Sequence, residues 1–233
     1  MMRRLRKKIL KKYSISLAII KFQIAKSEMK DEGNLTFNIK LLKASARKPI
    51  NSKTHPFLPP FEDGLFVCSI KPDHNLLFNK FPIHDHHLLV TTKEFCRQEE
   101  GISKGDFEAS MFVIEAMNGI GYFNCGGDSG ASQPHRHMQI VRREELDELP
   151  ILTEIDKMSS SRITGQSSNY TTHPDFNFKH KLIFWDESEE YKENAASAEL
   201  AYRNCLMSLN IKAGISYNVL FTNNWLLLIP RKP

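Results

Sequence analysis

Residues 124–139 read NCGGDSGASQPHRHMQ, a pattern suited to chemistry at a nucleotide phosphate. In an extended strand residues two apart share a face, so His135, His137 and Gln139 project together while Arg136, Met138 and Ile140 point the other way. One polar face thus holds two imidazoles and an amide. Just upstream, Gly126, Gly127, Ser129 and Gly130 permit a tight turn whose backbone amides can converge on phosphate oxygens, and Ser129, Ser132 and Gln133 add side-chain donors. In phosphoryl transfer the protein positions an in-line nucleophile and stabilises charge on the non-bridging oxygens. Neutral histidine can be that nucleophile: one ring nitrogen offers a lone pair, and the other N–H can be held by a backbone carbonyl that sets the tautomer. The product is a covalent phosphoramidate from which a second substrate can collect the group.

The elements that must position this face are readable from periodicity and punctuation. Residues 43–64, rich in Pro, Lys and Asn, are expected to form an extended irregular arm. Strands are expected over 65–70, 75–81 and 86–92, bounded by Pro, Asp and Asn. Ser103-Lys104-Gly105-Asp106 has capping-box spacing, and Phe107, Met111, Ile114 and Met117 recur at helical intervals behind it; the helix should end near Gly119 or Gly121. Strands follow over 122–125 and 135–142, then an exposed connection over 159–172, a strand over 179–185 and a helix over 189–209. Two last strands, 215–221 and 225–229, flank a hairpin turn at Thr222-Asn223-Asn224. Strands and helices do not alternate regularly enough for a doubly wound parallel fold, so the fold class is α+β with a mainly antiparallel sheet.

With 233 residues, 41% hydrophobic and 25% charged, the chain has the composition of a globular protein with one sizeable core. Its net charge of +5 comes from the tip: Arg3, Arg4, Arg6, Lys7, Lys8, Lys11 and Lys12 contribute seven positive charges, and without them the remainder stands at −2. That balance gives no reason to expect a nucleic-acid-binding face, so no nucleic-acid partner is assigned. The apolar run after the tip is cut by Lys21 and no transmembrane segment follows; residues 1–42 are read as a basic N-terminal helical region and 43–233 as the catalytic domain. Cys68, Cys96, Cys125 and Cys205 are scattered, with no C-x-x-C pair, which fits reduced thiols and a cytoplasmic setting. Cys125 has no base adjacent in sequence, and His84, His86 and His87 read as strand-edge histidines rather than metal ligands.

The loop and strand 129–139, SGASQPHRHMQ, resemble the diadenosine tetraphosphate phosphorylase (ATP adenylyltransferase) branch of the histidine-triad superfamily. So do FLPP at 57–60, NKFP at 79–82, HHLLVT at 86–91 and SYNVLFT at 216–222. The resemblance implies a histidine-triad-like antiparallel sheet flanked by helices, and a nucleotidyltransferase that converts diadenosine tetraphosphate and phosphate to ATP and ADP. Residue by residue, it makes His137 the nucleophile that takes AMP, with His135 as its catalytic neighbour and Gln139 where hydrolytic relatives have a third histidine. An amide can bond a phosphate oxygen but cannot shuttle a proton for water, which favours transfer over hydrolysis. Asn124 would hold the ribose or the loop, Gly130, Ala131, Ser132 and Gln133 the α-phosphate, and Ser129 is a further nucleotide-binding residue. Lys53, Asn79 and Lys80 would contact nucleotide or polyphosphate, with Asn218, Thr222 and Arg231 as further binding candidates. The implied partners are a dinucleoside polyphosphate, ATP, ADP and phosphate, with a homo-oligomer as the assembly. A divalent cation such as Mg2+ would be bound mainly through the phosphates; no protein metal cage and no organic cofactor are expected.

Two alternatives use the same residues. A sugar-1-phosphate nucleotidyltransferase shares the H-x-H-x-Q pattern but commonly has proline between the histidines, where this chain has Arg136. A nucleotide-binding module without catalysis is the other, prompted by the C-terminal end. Chains of the resembled family usually continue beyond Ile229-Pro230-Arg231, so either the sequence is truncated or a shorter version completes its sheet through a partner, which would leave an edge unpaired in the chain alone.

Overall fold

The computed structural model describes residues 1–16, 24–32, 35–42, 55–146, 149–162 and 170–231. Helix α1 spans Met2–Ser16, followed by strands β1 (Ile24–Glu32) and β2 (Leu35–Leu42), which pair with each other as an antiparallel hairpin. The expectation of a helical region over 1–42 therefore holds only for 2–16. The helix is anchored, since Leu5, Ile9 and Tyr13 fall at four-residue spacing and are buried in the main core while Arg3, Arg4, Arg6, Lys7, Lys8 and Lys11 stay exposed. Lys12 Nζ donates to the carbonyl of Phe66 at 2.9 Å. The apolar run over 17–20 and the arm over 43–54 lie outside the described residues.

The main sheet contains β3 (Phe66–Ile70), β4 (His74–Phe78), β5 (Leu88–Thr92), β6 (Gly119–Cys125), β7 (His137–Arg142), β8 (Tyr170–Thr171), β9 (Lys181–Phe184), β10 (Tyr217–Phe221) and β11 (Trp225–Pro230). Its order is β3-β4-β5-β7-β6-β10-β11-β9-β8, and every neighbouring pair is antiparallel. This is the α+β class read from the sequence. The C-terminal strand β11 is not left at an edge: β9 pairs along its outer side, and among the described residues the sheet ends at β3 and β8.

Alternation divides the sheet into two unlike faces. Leu76, Phe78, Leu88, Val90, Phe123, Met138, Ile140, Val219 and Phe221 point into the core shared with α1, α2 (Lys104–Met117) and α4 (Tyr191–Ser208). Each fully buried large side chain there contributes roughly 1.5–3 kcal/mol. Helix α2 starts at the expected capping box, with Asp106 N donating to Ser103 Oγ at 3.2 Å and Ser103 N to Asp106 Oδ2 at 2.7 Å. It ends on Asn118, held at φ +51° in the left-handed region, rather than on Gly119 or Gly121. Those glycines serve the sheet instead: a Cβ on Gly121 would come within 2.5 Å of the Phe221 ring, and one on Gly119 within 2.9 Å of Ile140. Ala195, Ala198 and Ala201 give α4 the small surface that lets it pack against the same core.

On the opposite face a helix not foreseen in the sequence, α3 (Pro150–Ser160), packs Leu152 and Ile155 against Ile120, Val141, Leu182, Leu227 and Ile229. Its start falls at Pro150, a residue suited to the first helical turn. At the other end of this face Phe57 covers Leu77 and Leu89. Between these two covers lie the polar residues of β5, β6, β7 and β10.

Candidate active site

Strands β6 and β7 pair from Gly119–Arg142 to Tyr122–Gln139 and then diverge, which leaves room for the glycine-rich turn. Gly126 and Gly130 have φ of +82° and +86°, flanking a single 3-10 turn at Gly127–Ser129. A side chain on Gly126 would also collide with Ser216. Ser129 departs from the expected role of phosphate donor: its Oγ donates to the carbonyl of Gly126 at 2.6 Å, so the hydroxyl shapes the turn. Gly130 and Ser132 are exposed, with Ala131 and Gln133 half-buried beside them.

His137 opens β7 and is 5% exposed. Its Nδ1 lies 2.8 Å from the carbonyl oxygen of His135; a carbonyl only accepts, so the proton is on Nδ1 and the lone pair is on Nε2. The Phe57 ring packs against this imidazole at 5.0 Å between centroids. His135 is placed differently from the expectation of two imidazoles on one open face. Its ring is fully buried and caged by His55, Phe57 and Phe95. Thr92 Oγ1 gives its single proton to the carbonyl of Glu94 at 2.7 Å, so at His135 Nε2, 2.7 Å away, it must accept. Burial, reinforced by His55, pushes the His135 pKa down to about 4 and keeps the ring neutral. What His135 presents to His137 is a backbone carbonyl.

Gln139 is held by His87, a residue read from the sequence only as a strand-edge histidine. Asn79 Oδ1 accepts the Phe81 amide at 2.9 Å, which turns its NH2 toward His87 Nδ1 at 3.3 Å. With Nδ1 accepting, Nε2 carries the proton and faces Gln139 Oε1 at 3.0 Å and the Tyr122 hydroxyl at 2.7 Å. Gln139 thereby has its carbonyl occupied and its NH2 directed away from His87. Burial raises the Tyr122 pKa, so it stays a phenol.

On the β10 side, Asn218 Nδ2 donates to Asn124 Oδ1 at 2.7 Å and to the carbonyl of Ser129 at 2.9 Å, and Asn218 Oδ1 accepts from Arg231 Nε. Asn124, Ser129, Asn218 and Arg231 thus meet beside the turn. Thr222 does not join them. It closes the β10–β11 hairpin, with Oγ1 donating to Asn224 Oδ1 at 2.9 Å, at the far end of β10 from Asn218. Lys80 stands at the rim, ion-paired with Glu62 at 2.7 Å; Lys53 lies outside the described residues. Arg136 points to the other face, 3.1 Å from Asp106. Gln98, which no motif marked, is 1% exposed and bonds the backbone of both Asn124 and His137.

Other reactive groups are accounted for by their surroundings. Burial raises the Cys125 thiol pKa, the wrong direction for a thiolate nucleophile. Among the described residues, Glu154, His173 and Asp175 could place three metal-binding atoms within 4.8 Å of one another. However, His173 Nδ1 accepts the Asp175 amide at 3.2 Å, which puts the ring proton on Nε2, 3.8 Å from Glu154. His173 is thus engaged on Nδ1 by the Asp175 backbone amide and stacked on Phe176 at 4.2 Å.

Comparison with known proteins adds a second line of evidence. A family model for the Ap4A phosphorylase N-terminal domain matches residues 3–157, and one for the ATP adenylyltransferase C-terminal domain matches residues 174–233. Diadenosine 5',5'''-P1,P4-tetraphosphate phosphorylase 2 of Saccharomyces cerevisiae is 26% identical over 218 residues, covering 82% of this chain and 65% of that protein. Protein APA1 of the same yeast is 24% identical over 178 residues, covering 68% and 54%. The chain thus spans just under two thirds of the first relative and about half of the second. The crystal structure of yeast Ap4A phosphorylase Apa2 in complex with Ap4A superposes with a TM-score of 0.78 at 22% identity, over 98% of this chain and 81% of that one. An ADP-glucose phosphorylase from Arabidopsis thaliana with bound ADP-glucose gives a TM-score of 0.51 at 13% identity, over 89% and 90%. At such identities the structural likenesses speak for the fold.

Proposed function

Because the chain belongs to the Ap4A phosphorylase family, we propose that it is a nucleotidyltransferase that converts diadenosine tetraphosphate (Ap4A) and phosphate to ATP and ADP through AMP carried on His137. The carrying observation is the 2.8 Å bond from His137 Nδ1 to the His135 carbonyl, which directs the Nε2 lone pair outward.

In the first step Nε2 attacks the α-phosphorus of one AMP unit, an N–P bond forms, the bond to the bridging oxygen breaks, and ATP leaves. The imidazolium so formed keeps its Nδ1–H on the His135 carbonyl. In the second step a phosphate oxygen attacks the same phosphorus, the N–P bond breaks, and ADP leaves with neutral His137 restored. A polyphosphate leaving group is a weakly basic anion and needs no strong acid, consistent with the withdrawn position of the His135 ring. The NH2 of Gln139, directed by His87, is suited to a non-bridging oxygen, and Asn124, Asn218 and the 126–133 turn to the ribose and phosphates. Mg2+ would travel with the polyphosphate, coordinated by phosphate oxygens and water. Four unpaired cysteines support a reducing, cytoplasmic setting, and among the described residues no helix is long and apolar enough to cross a membrane.

The test is product analysis with Ap4A in the presence and absence of phosphate. ATP and ADP in equal amounts, turning over only with phosphate, are expected; phosphate-independent AMP would contradict transfer. Competition by UDP-sugars stronger than by adenine dinucleotides would instead favour a sugar-1-phosphate substrate.

A further inference from the structure

We infer that Gln98 is a positioning residue for the nucleophile, a side-chain amide that replaces the missing rung of the β6–β7 ladder. The regular pairing ends at Tyr122–Gln139, yet the next positions on this side, Asn124 and His137, still have buried backbone groups to satisfy. Gln98 enters that gap. Its Oε1 accepts the His137 amide at 2.9 Å, and its Nε2 donates to the Asn124 carbonyl at 2.8 Å and the His137 carbonyl at 3.3 Å. Donor and acceptor sit as a peptide group would present them, so the amide orientation follows from its partners.

The segment that delivers Gln98 is itself fixed. Arg136 N donates to the Cys96 carbonyl at 2.8 Å, Gln98 N donates to the Pro134 carbonyl at 2.8 Å, and Arg97 bridges His135. Residues 96–98 thus run along the strand entering β7, and the Gln98 side chain crosses behind His137 toward β6. The result is a nucleophile whose main chain is held on both its N–H and its C=O while the strands are parted to admit a phosphate. A wider gap would leave His137 to drift; a closed ladder would leave no space for the turn. Small displacements of a reacting atom are costly, since about 1 Å can change a rate a hundredfold.

This role rests on His137 being the nucleophile, and the test separates the two ideas. Rapid-quench formation of the adenylyl adduct from Ap4A and equilibrium binding of AMP are measured for wild type, Gln98→Met and Gln98→Glu. Gln98→Met, near in shape but without the amide, should slow adduct formation on the order of a hundredfold, with AMP affinity within about threefold. In Gln98→Glu the carboxylate faces two carbonyls, and only its protonated form can donate to them. Its rate relative to wild type at the same pH should therefore rise by roughly tenfold or more between pH 8 and pH 6. A Gln98→Met rate near wild type, a loss of AMP affinity as large as the loss of rate, or a flat relative pH profile for Gln98→Glu would each overturn the assignment. Absence of an adduct in the wild-type protein would overturn the reading of His137 first, and this role with it.

Discussion

His137 donates its Nδ1 proton to the carbonyl of His135, 2.8 Å away and two residues earlier on the same extended segment. The spacing that places both side chains on one face also brings this carbonyl within reach of the second ring. The two histidines therefore play unequal parts, with one supplying a ring nitrogen and the other a backbone acceptor.

The burial of His135 makes a prediction about acid stability. In the native protein its pKa is pushed from 6.5 to about 4, so it stays neutral where the unfolded chain takes up a proton. Its stabilisation is complete above pH 6.5 and is lost as pH falls toward 4. At about 1.4 kcal/mol per unit this is on the order of 3 kcal/mol. His135→Phe, whose ring suits the aromatic cage, should lose less stability than wild type between pH 7 and pH 5 in urea denaturation. An equal loss would show that His135 is not the group responsible.

The clamp of His87 on Gln139 predicts a change in product distribution. His87→Phe removes the donor to Gln139 Oε1, and the amide can then turn its carbonyl toward the phosphate. The expected result is a fall in kcat/KM for phosphorolysis of roughly 10- to 100-fold, equivalent to about 1.4–2.7 kcal/mol, with a lower melting temperature as well, because Asn79, Tyr122 and Gln139 each lose a partner. Gln139→His should raise the share of AMP formed without phosphate, because imidazole can pass a proton to water. Unchanged phosphorolysis in His87→Phe, measured by product chromatography, would remove His87 from the site.

Asn218 is the shared partner of Asn124, Ser129 and Arg231, so Asn218→Ala should act on stability and binding together. Leaving the Ser129 carbonyl and Asn124 amide oxygen without this donor should cost about 1–3 kcal/mol in denaturant unfolding. KM for Ap4A should rise as the turn loosens. Thr222→Val, at the far end of β10, should leave KM unchanged.

The difference between Asn218 and Thr222 shows where a sequence stops being informative. Both lie in the resembling segment 216–222; the hairpin turn at Thr222 was legible from the sequence, whereas only folding reveals that Asn218 faces Asn124 and that Thr222 stands apart from the site. The turn, the two-residue alternation from His135 to Gln139 and the Ser103 capping box were legible because each depends on neighbours along the chain. His87, Gln98 and Tyr122 were not, because their bonds join strands and loops far apart in sequence. Gly119 marked where the helix ends but not what ends it: Asn118 takes the left-handed conformation, and the glycines make room for Ile140 and Phe221. Helix α3 lacked a capping side chain at its start, as its N-cap position is Leu149; the β1–β2 pair has Gly33-Asn34 between its strands in sequence, a turn signal that the helical reading of 1–42 passed over.

The most direct measurement is the intact mass of the protein after incubation with Ap4A in phosphate-free buffer. One added adenylyl group is expected, mapped to His137 by peptide fragmentation, absent in His137→Asn, and discharged as ADP when phosphate is added. An adduct on another residue, or phosphorolysis that persists in His137→Asn, would contradict the assignment of His137 as the nucleophile.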